Sequence, residues 1–158
     1  MKKEQKTNAV RLLEKAGIAY QLNAYEVDEN DLSAVHVAEQ LGVPARTLFK
    51  TLVLRGDRNG LFVCVIPGDA EVDLKKAAKV SGNKKADLIP QKELLPLTGY
   101  IRGGCSPIGM KKPFPTYLDR QALEQAEICI SAGVRGLQIR LAAADLVRFL
   151  NAVVEDLV

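Results

Sequence analysis

The sequence predicts a mixed α+β domain built on one curved sheet, and three observations predict it. Apolar residues recur at helical spacing in two early stretches, Ala9, Leu12, Leu13 and Ala16, then Ala34, Val37, Ala38 and Leu41. Residues 47–55 and 137–141 instead alternate with the two-residue period of a strand. Turn chemistry punctuates the chain, most clearly at Gly56-Asp57-Arg58-Asn59-Gly60, where Asn-Gly is a strong hairpin signal. Short strands interrupted by helices are the pattern of an α+β domain.

Thr7 caps the first predicted helix and Gly17 ends it. Residues 18–25 read as a strand, and acidic, turn-like residues 26–31 lead to Ser33, the cap of a second helix stopped by Gly42 and Pro44. His36 lies off that helix's apolar stripe with no partner in sight, so it reads as a surface residue. In the next strand Leu48, Lys50, Leu52 and Leu54 share one face, and Thr47, Phe49, Thr51 and Val53 share the other. A lysine among three leucines must reach solvent, pair with an anion, or work as a cation at the mouth of an apolar pocket.

After the hairpin, Leu61 to Ile66 is apolar on both faces, as in a strand covered on both sides, and Cys64 there reads as packing. Asp73 caps a third helix with Leu74, Ala77 and Ala78 facing inward. Lys75, Lys76 and Lys79, with Lys84 and Lys85, form either a solvated face or a set of phosphate contacts. A short helix from Pro90 leads into the segment Thr98 to Lys112, read as a short strand that stops at Gly103-Gly104 and then a Gly, Ser and Pro-rich loop. Thr116 to Leu118 re-enters the sheet, Asp119 caps a brief helix, and Glu127 to Ser131 is a strand. Leu137, Ile139 and Leu141 face inward opposite Gln138 and Arg140. Leu146, Phe149, Leu150, Val153, Val154 and Leu157 line one face of a final helix.

The chain has 158 residues, 47% apolar and 26% charged, which suits one globular domain over 1–158. No apolar run approaches the ~20 residues that span a bilayer, and the N-terminal Met-Lys-Lys-Glu-Gln-Lys is not followed by a signal-peptide apolar region. The expected location is the cytosol. Three cysteines, none in a CxxC pair, point to neither a zinc site nor a disulfide framework. A net charge of +3 permits nucleic-acid binding only if the charge is clustered.

A single histidine leaves no Ser-His-Asp or Cys-His arrangement. Cys105, near Arg102 and Lys111, is a nucleophile candidate without an obvious base. No phosphate-binding glycine motif of the GxxxxGK[ST] or GxGxxG type and no paired carboxylates stand out. What remains is positioning and electrostatics: main-chain donors at Gly103-Gly104, a cation at Lys50 and an apolar pocket, a set suited to attack on an activated carbonyl.

Four motifs in order carry a family resemblance over nearly the whole chain. They are Phe49-Lys50-Thr51-Leu52; Asp73-Leu74-Lys75-Lys76; Thr98-Gly99-Tyr100 with Gly103-Gly104-Cys105-Ser106-Pro107-Ile108-Gly109-Met110-Lys111-Lys112; and Ser131-Ala132-Gly133 with Gly136-Leu137-Gln138-Ile139. The chain resembles the YbaK/EbsC family of free-standing aminoacyl-tRNA deacylases, whose fold is shared with the editing domain of bacterial prolyl-tRNA synthetases. The resemblance implies a curved mixed sheet in the form of a partly open barrel with flanking helices. It implies action in trans on cysteine mischarged onto the proline tRNA, with no metal or cofactor and with prolyl-tRNA synthetase as a possible partner.

By the same resemblance, Lys50 is the residue most tied to activity, and Gly103 and Gly104 complete the catalytic set. Tyr25, Tyr100, Ser106, Ser131, Gly133 and Gln138 would line the substrate pocket, and Lys75, Lys76, Lys111 and Lys112 would meet acceptor-stem phosphates. Gln138, where YbaK-like members carry Asp, places the chain nearer the EbsC branch and leaves cysteine as the first substrate choice and alanine as the second. The competing expectation is a binding module of the same fold that holds a tRNA end, a nucleotide or a small amino acid without turnover.

Overall fold

The computed structural model describes residues 6–158, so the reading of Met1 to Gln5 as no part of a signal peptide lies outside the described residues. Helix α1 (Asn8–Lys15) starts where the Thr7 hydroxyl accepts from the Val10 N–H. Strand β1 (Gln21–Ala24) follows, shorter than the run 18–25 suggests. Helix α2 (Ala34–Leu41) is capped by Ser33 and closed by left-handed Gly42, as its sequence predicts. A 3-10 turn over Ala45–Thr47 precedes the hairpin of β2 (Phe49–Gly56) and β3 (Gly60–Pro67). Helix α3 (Leu74–Val80), whose first N–H groups bond to Asp73, leads to β4 (Ala86–Leu88). Helix α4 (Leu94–Thr98), β5 (Thr116–Asp119), β6 (Glu127–Ser131), β7 (Leu137–Ala142), α5 (Ala143–Leu150) and β8 (Val153–Glu155) complete the chain.

The mixed α+β architecture is as predicted, but the strands divide between two sheets. One has the order β1-β7-β6 and the other β4-β2-β3-β5-β8. A single parallel bridge, Leu48 to Cys129, joins them at the start of β2. The larger sheet is mixed: β2 is antiparallel to β3 and β4, whereas β3-β5 and β5-β8 are parallel.

The main core lies between the sheets. Phe49, Val53, Val63, Val65 and Leu118 of the larger sheet meet Ile128, Ile130, Ile139 and Leu141 of the smaller, with α1 and α5 closing the ends. Each such side chain, fully buried, contributes about 1.5–3 kcal/mol relative to exposure. On the far face of the larger sheet Leu54, Phe62, Cys64 and Ile66 pack on Ala77 and Ala78 of α3. β3 is therefore covered on both sides, as its continuous apolar run requires. A third cluster places Val37 and Ala38 of α2 against Leu48 and Cys129, beside the bridge. Among the described residues no helix is long and apolar enough to cross a membrane.

Five expectations are corrected. The final helix stops at Leu150, where Asn151 takes a left-handed conformation (φ 52°) and turns its N–H back to Val147 and Arg148. Val153 and Val154, which continue the helical period, belong instead to β8 and pair in parallel with Tyr117 and Leu118. An open sheet edge and β-branched side chains outweigh the periodicity. Residues 98–101 form no strand: α4 runs to Thr98, whose hydroxyl donates to the Leu94 carbonyl, and Gly99 (φ 87°) ends it. On α1, Val10 and not Ala16 joins the buried face, and Leu74 of α3 is exposed. His36 is half-buried, its ring 3.4–3.9 Å from carboxylates of Asp28, Asp31 and Glu39, so partners from the preceding loop do exist.

The C-terminal strand is anchored by a buried carboxylate. Asp119 accepts from the Gln121 N–H at 3.1 Å and, across the chain, from the Leu157 N–H at 2.9 Å. Asp119→Ala removes two hydrogen bonds to a carboxylate, so it should lower the unfolding free energy by about 3–6 kcal/mol. Urea denaturation measures this; a change below about 0.5 kcal/mol, the range of an ordinary surface substitution, would show that β8 is held by its ladder alone.

Candidate active site

The register of the hairpin decides where a site can form. Gly68 N–H bonds to the Leu48 carbonyl at 2.7 Å, and Leu48, Lys50, Leu52 and Leu54 continue as the residues that exchange hydrogen bonds with β3. The main-chain groups of Phe49, Thr51 and Val53 consequently point to the opposite edge of β2. There β4 pairs only from Leu54 onward, the Val53 carbonyl accepts from Ile89, and the one pairing with β6 is the Leu48–Cys129 bridge. At Thr51 no strand supplies a partner.

A cavity of about 470 Å³ occupies that gap. Thr51 of β2, Ile89 beyond β4 and Ser131 of β6 bound it, with Ala34 and Val37 of α2 on one wall. Lys50 and Gly103 both line it, so the amine and the first of the paired glycines share one hollow. Lys50 Nζ donates to the Gly68 carbonyl at 3.4 Å, and among the described residues no carboxylate lies within ion-pair distance of it. Neither Asp, Glu nor His lines the cavity.

Two oxygens in this wall lack partners. Thr51 Oγ1 and Gln138 Oε1 are the buried side-chain polar atoms without a hydrogen bond among the described residues, and both residues face the cavity. Gln138 is 5% exposed, and an unpaired buried acceptor costs about 1–3 kcal/mol. Gln138 sits opposite Ser131 on β6 and Asn23 on β1, on the face turned away from Ile139 and the core. Ser131 Oγ accepts from the Gly133 N–H at 3.1 Å, and Tyr25, whose N–H bonds to the Gly136 carbonyl, completes this side.

Several predicted site residues are elsewhere. Gly104 is buried outside the cavity, its N–H bonded to the Ile101 carbonyl at 2.9 Å, so it offers no donor to a substrate. Its missing side chain instead lets the loop pass the Val134–Arg135 backbone, where a Cβ would come within 3.1 Å. The Tyr100 hydroxyl donates to the Ile108 carbonyl, and its ring lies where a Cβ on Gly133 would meet it at 3.0 Å. Ser106, fully buried, accepts from the Ile108 N–H. Tyr100, Ser106, Gly104 and Gly133 thus shape the loop without lining the cavity. Lys76 is bound to Asp156 at 2.9 Å and to the Val158 carbonyl, and Lys111 reaches the Pro96 carbonyl at 3.5 Å. Lys75 and Lys112 are exposed, and none of these four lysines lines the cavity.

Other residues not singled out for the pocket also line it, among them Thr51, Arg102 and Cys105. Thr51 shares its strand face with Phe49 and Val53, which are buried in the core, and only the open edge reveals it. Arg102 was weighed only as a neighbour of Cys105. Cys105 also lines the cavity, but burial pushes its thiol up to about 12, the reverse of the activation its cationic neighbours suggest. Burial, and secondarily Cys105, pushes the Tyr100 phenol up to about 12 as well. Among the described residues no His, Cys, Asp or Glu side chains gather as they would to hold a metal ion.

A family model for the aminoacyl-tRNA editing domain matches residues 28–149. The chain belongs to the aminoacyl-tRNA editing domain family. It is 51% identical over 150 residues, 95% of this chain and 92% of the other, to EbsC of Enterococcus faecalis, provisionally named a Cys-tRNA(Pro)/Cys-tRNA(Cys) deacylase. It is 32% identical to a proline–tRNA ligase of Cupriavidus necator, over 63% of this chain but 18% of that enzyme. A solved structure described provisionally as a trans-editing enzyme for prolyl tRNA synthetase superposes with a TM-score of 0.81 at 26% identity, covering 96% of this chain and 97% of the other. The four motifs on which the sequence resemblance rests all fall within the matched residues.

Held protonated by burial, the Cys105 thiol should react with iodoacetamide at pH 7 more slowly than free cysteine, and faster as pH rises toward its folded-state value. Peptide mapping after timed alkylation checks this. Labelling at pH 7 faster than that of free cysteine would restore Cys105 as a nucleophile.

Proposed function

We propose that the chain works as one editing domain, an aminoacyl-tRNA deacylase that removes cysteine mischarged onto the proline tRNA in trans. The observation that carries this reading is the cavity itself: an unpaired lysine and two unsatisfied buried oxygens in an apolar hollow with no carboxylate or histidine. Such a site has no strong base or nucleophile of its own, so it suits a substrate that is already activated. An aminoacyl ester is one. The kinship with EbsC, by its provisional name, supports cysteine as the amino acid.

On this reading the aminoacyl group enters the gap along β2. Its ammonium donates to Gln138 Oε1, with Thr51 Oγ1 beside it, and both orphaned acceptors are satisfied at once. Lys50 and the free main-chain groups at Thr51 and Gly103 hold the ester carbonyl and terminal ribose. The substrate thiol then attacks its own carbonyl carbon: the C–S bond forms, the C–O bond to ribose breaks, and the thiol proton ends on the ribose oxygen. Lys50 orients the ester and abstracts no proton. The prolyl-tRNA synthetase that charges this tRNA is the natural partner, and the cytosol the working compartment.

A binding module without turnover is the second reading. A Lys50 buried in a plain ion pair would favour it, and among the described residues Lys50 has no such pair and lines the cavity beside Gly103.

Lys50→Ala should lower deacylation of Cys-tRNA(Pro) by about 10²-fold or more while the thermal midpoint stays within about 2 °C. Equal rates in wild type and variant would remove Lys50 from the mechanism, and an inactive wild type would favour the binding module. Parallel assays on Ala-tRNA(Pro) rank the two amino acids. Gln138→Met keeps the volume and removes the acceptor, so KM for the cysteinyl substrate should rise about tenfold, the equivalent of one hydrogen bond to a charged group. An unchanged KM would leave the amide oxygen without a role in binding.

A further inference from the structure

Arg102 lines the cavity, and Arg135, outside the lining, is bonded to the Arg102 backbone. Arg135 Nε donates to the Arg102 carbonyl at 2.8 Å, and a Cβ on Gly103 would lie 3.3 Å from that nitrogen. Gly103, at φ 86°, therefore lets one guanidinium lie across the chain directly after the other arginine. Arg102 lines the cavity, and its guanidinium makes one long contact, 3.5 Å to Gln91 Oε1. Among the described residues neither arginine has a carboxylate within ion-pair distance, so both guanidinium charges are open to an anionic ligand. With Lys50 deeper in, the lining carries two cations and no anion.

Unpaired cations around a hollow with apolar walls concentrate positive potential at its entrance. A guanidinium fork matches phosphate oxygens two at a time, which an ammonium does not. We propose that Arg102 and Arg135 form a phosphate clamp, which grips the phosphodiester on the 5′ side of the nucleoside whose ester occupies the cavity. The inference rests on the deacylase reading and extends it. It moves the anchoring of the RNA end from the predicted lysines, none of which lines the cavity, to Arg102 in its lining and Arg135 bonded to the Arg102 backbone. The clamp recognises backbone and not base, so it places the end of a single strand without reading its sequence.

The test compares two cysteine esters, Cys-tRNA(Pro) and the 3′-cysteinyl ester of adenosine, which has no phosphate. R102Q, R135Q and the double variant are assayed beside R58Q, an exposed arginine of the β2–β3 turn outside the cavity. Each clamp variant should lose about tenfold more kcat/KM on the tRNA than on the nucleoside ester, through KM. The slope of log kcat/KM against log salt on the tRNA should flatten by about 0.7 per arginine removed, and R58Q should move neither quantity. Affinity for an uncharged single-stranded RNA ending in adenosine, read by fluorescence anisotropy, should fall in the same order, while free 5′-AMP binds more weakly than the RNA.

Equal losses on both esters, or an unchanged salt slope in the double variant, would overturn the clamp and leave the deacylase reading intact. So would 5′-AMP binding as tightly as the RNA, which would assign the arginines to a free nucleotide. A wild type that deacylates neither ester would sink the deacylase reading. The RNA-binding arm would then decide the clamp alone: affinity lost in R102Q and R135Q upholds it, and affinity unchanged or absent in wild type ends it.

Discussion

Along β2 the ladder to β3 runs unbroken from Phe49 to Gly56, but on the other edge β4 pairs only from Leu54 to Gly56 and β6 pairs only at Leu48. Main-chain groups left in such a gap must find water or a ligand. The two sheets meet at the Leu48–Cys129 bridge and then part, because β6 continues into β7 while β2 continues along β3. The opening between them is the cavity. Its polar wall comes from β2 and the small sheet, and its apolar wall from α2.

The loop from Gly99 to Lys112 serves this opening by being held still. Tyr100 bonds to the Ile108 carbonyl and packs on Gly133, Ser106 closes a buried turn onto Ile108, and Gly104 lies against the Val134–Arg135 backbone. These contacts tie the loop to the β6–β7 turn and leave Gly103 as the one member of the glycine pair at the cavity. The pair reads as a single device in the sequence, yet its members do different work: Gly103 borders the site, and Gly104 permits a close crossing of two chains. Groups fixed in advance by such packing reorganise little when charge develops on a substrate.

Much of this was legible beforehand, where local chemistry and tertiary demand agree. Thr7, Ser33 and Asp73 cap the helices they mark, Asn59-Gly60 turns the hairpin, and the continuous apolar run of β3 lies buried on both faces. Lys50, Gln138, Ser131, Tyr25 and Gly103 do converge on one cavity. The misses arise where one residue pattern serves two structures. Val153 and Val154 fit a helical stripe as well as a strand, and the vacant edge of β5 decided between them. Thr51 alternates with Phe49 and Val53 as a core residue should, and nothing in its spacing reveals that its neighbour strand stops short. Conserving the period of a strand says nothing about which edge remains unpaired, and a motif's glycines and lysines do not announce which of them face inward.

A hollow whose lining, among the described residues, holds cations but no carboxylate or histidine hands part of the discrimination to whatever enters it. An occupant that carries its own thiol supplies the missing reactant, whereas one that carries only a hydrocarbon side chain can be held in the same pose and leave unchanged. Fidelity in such a protein becomes a property of the guest's reactivity as much as of the host's fit.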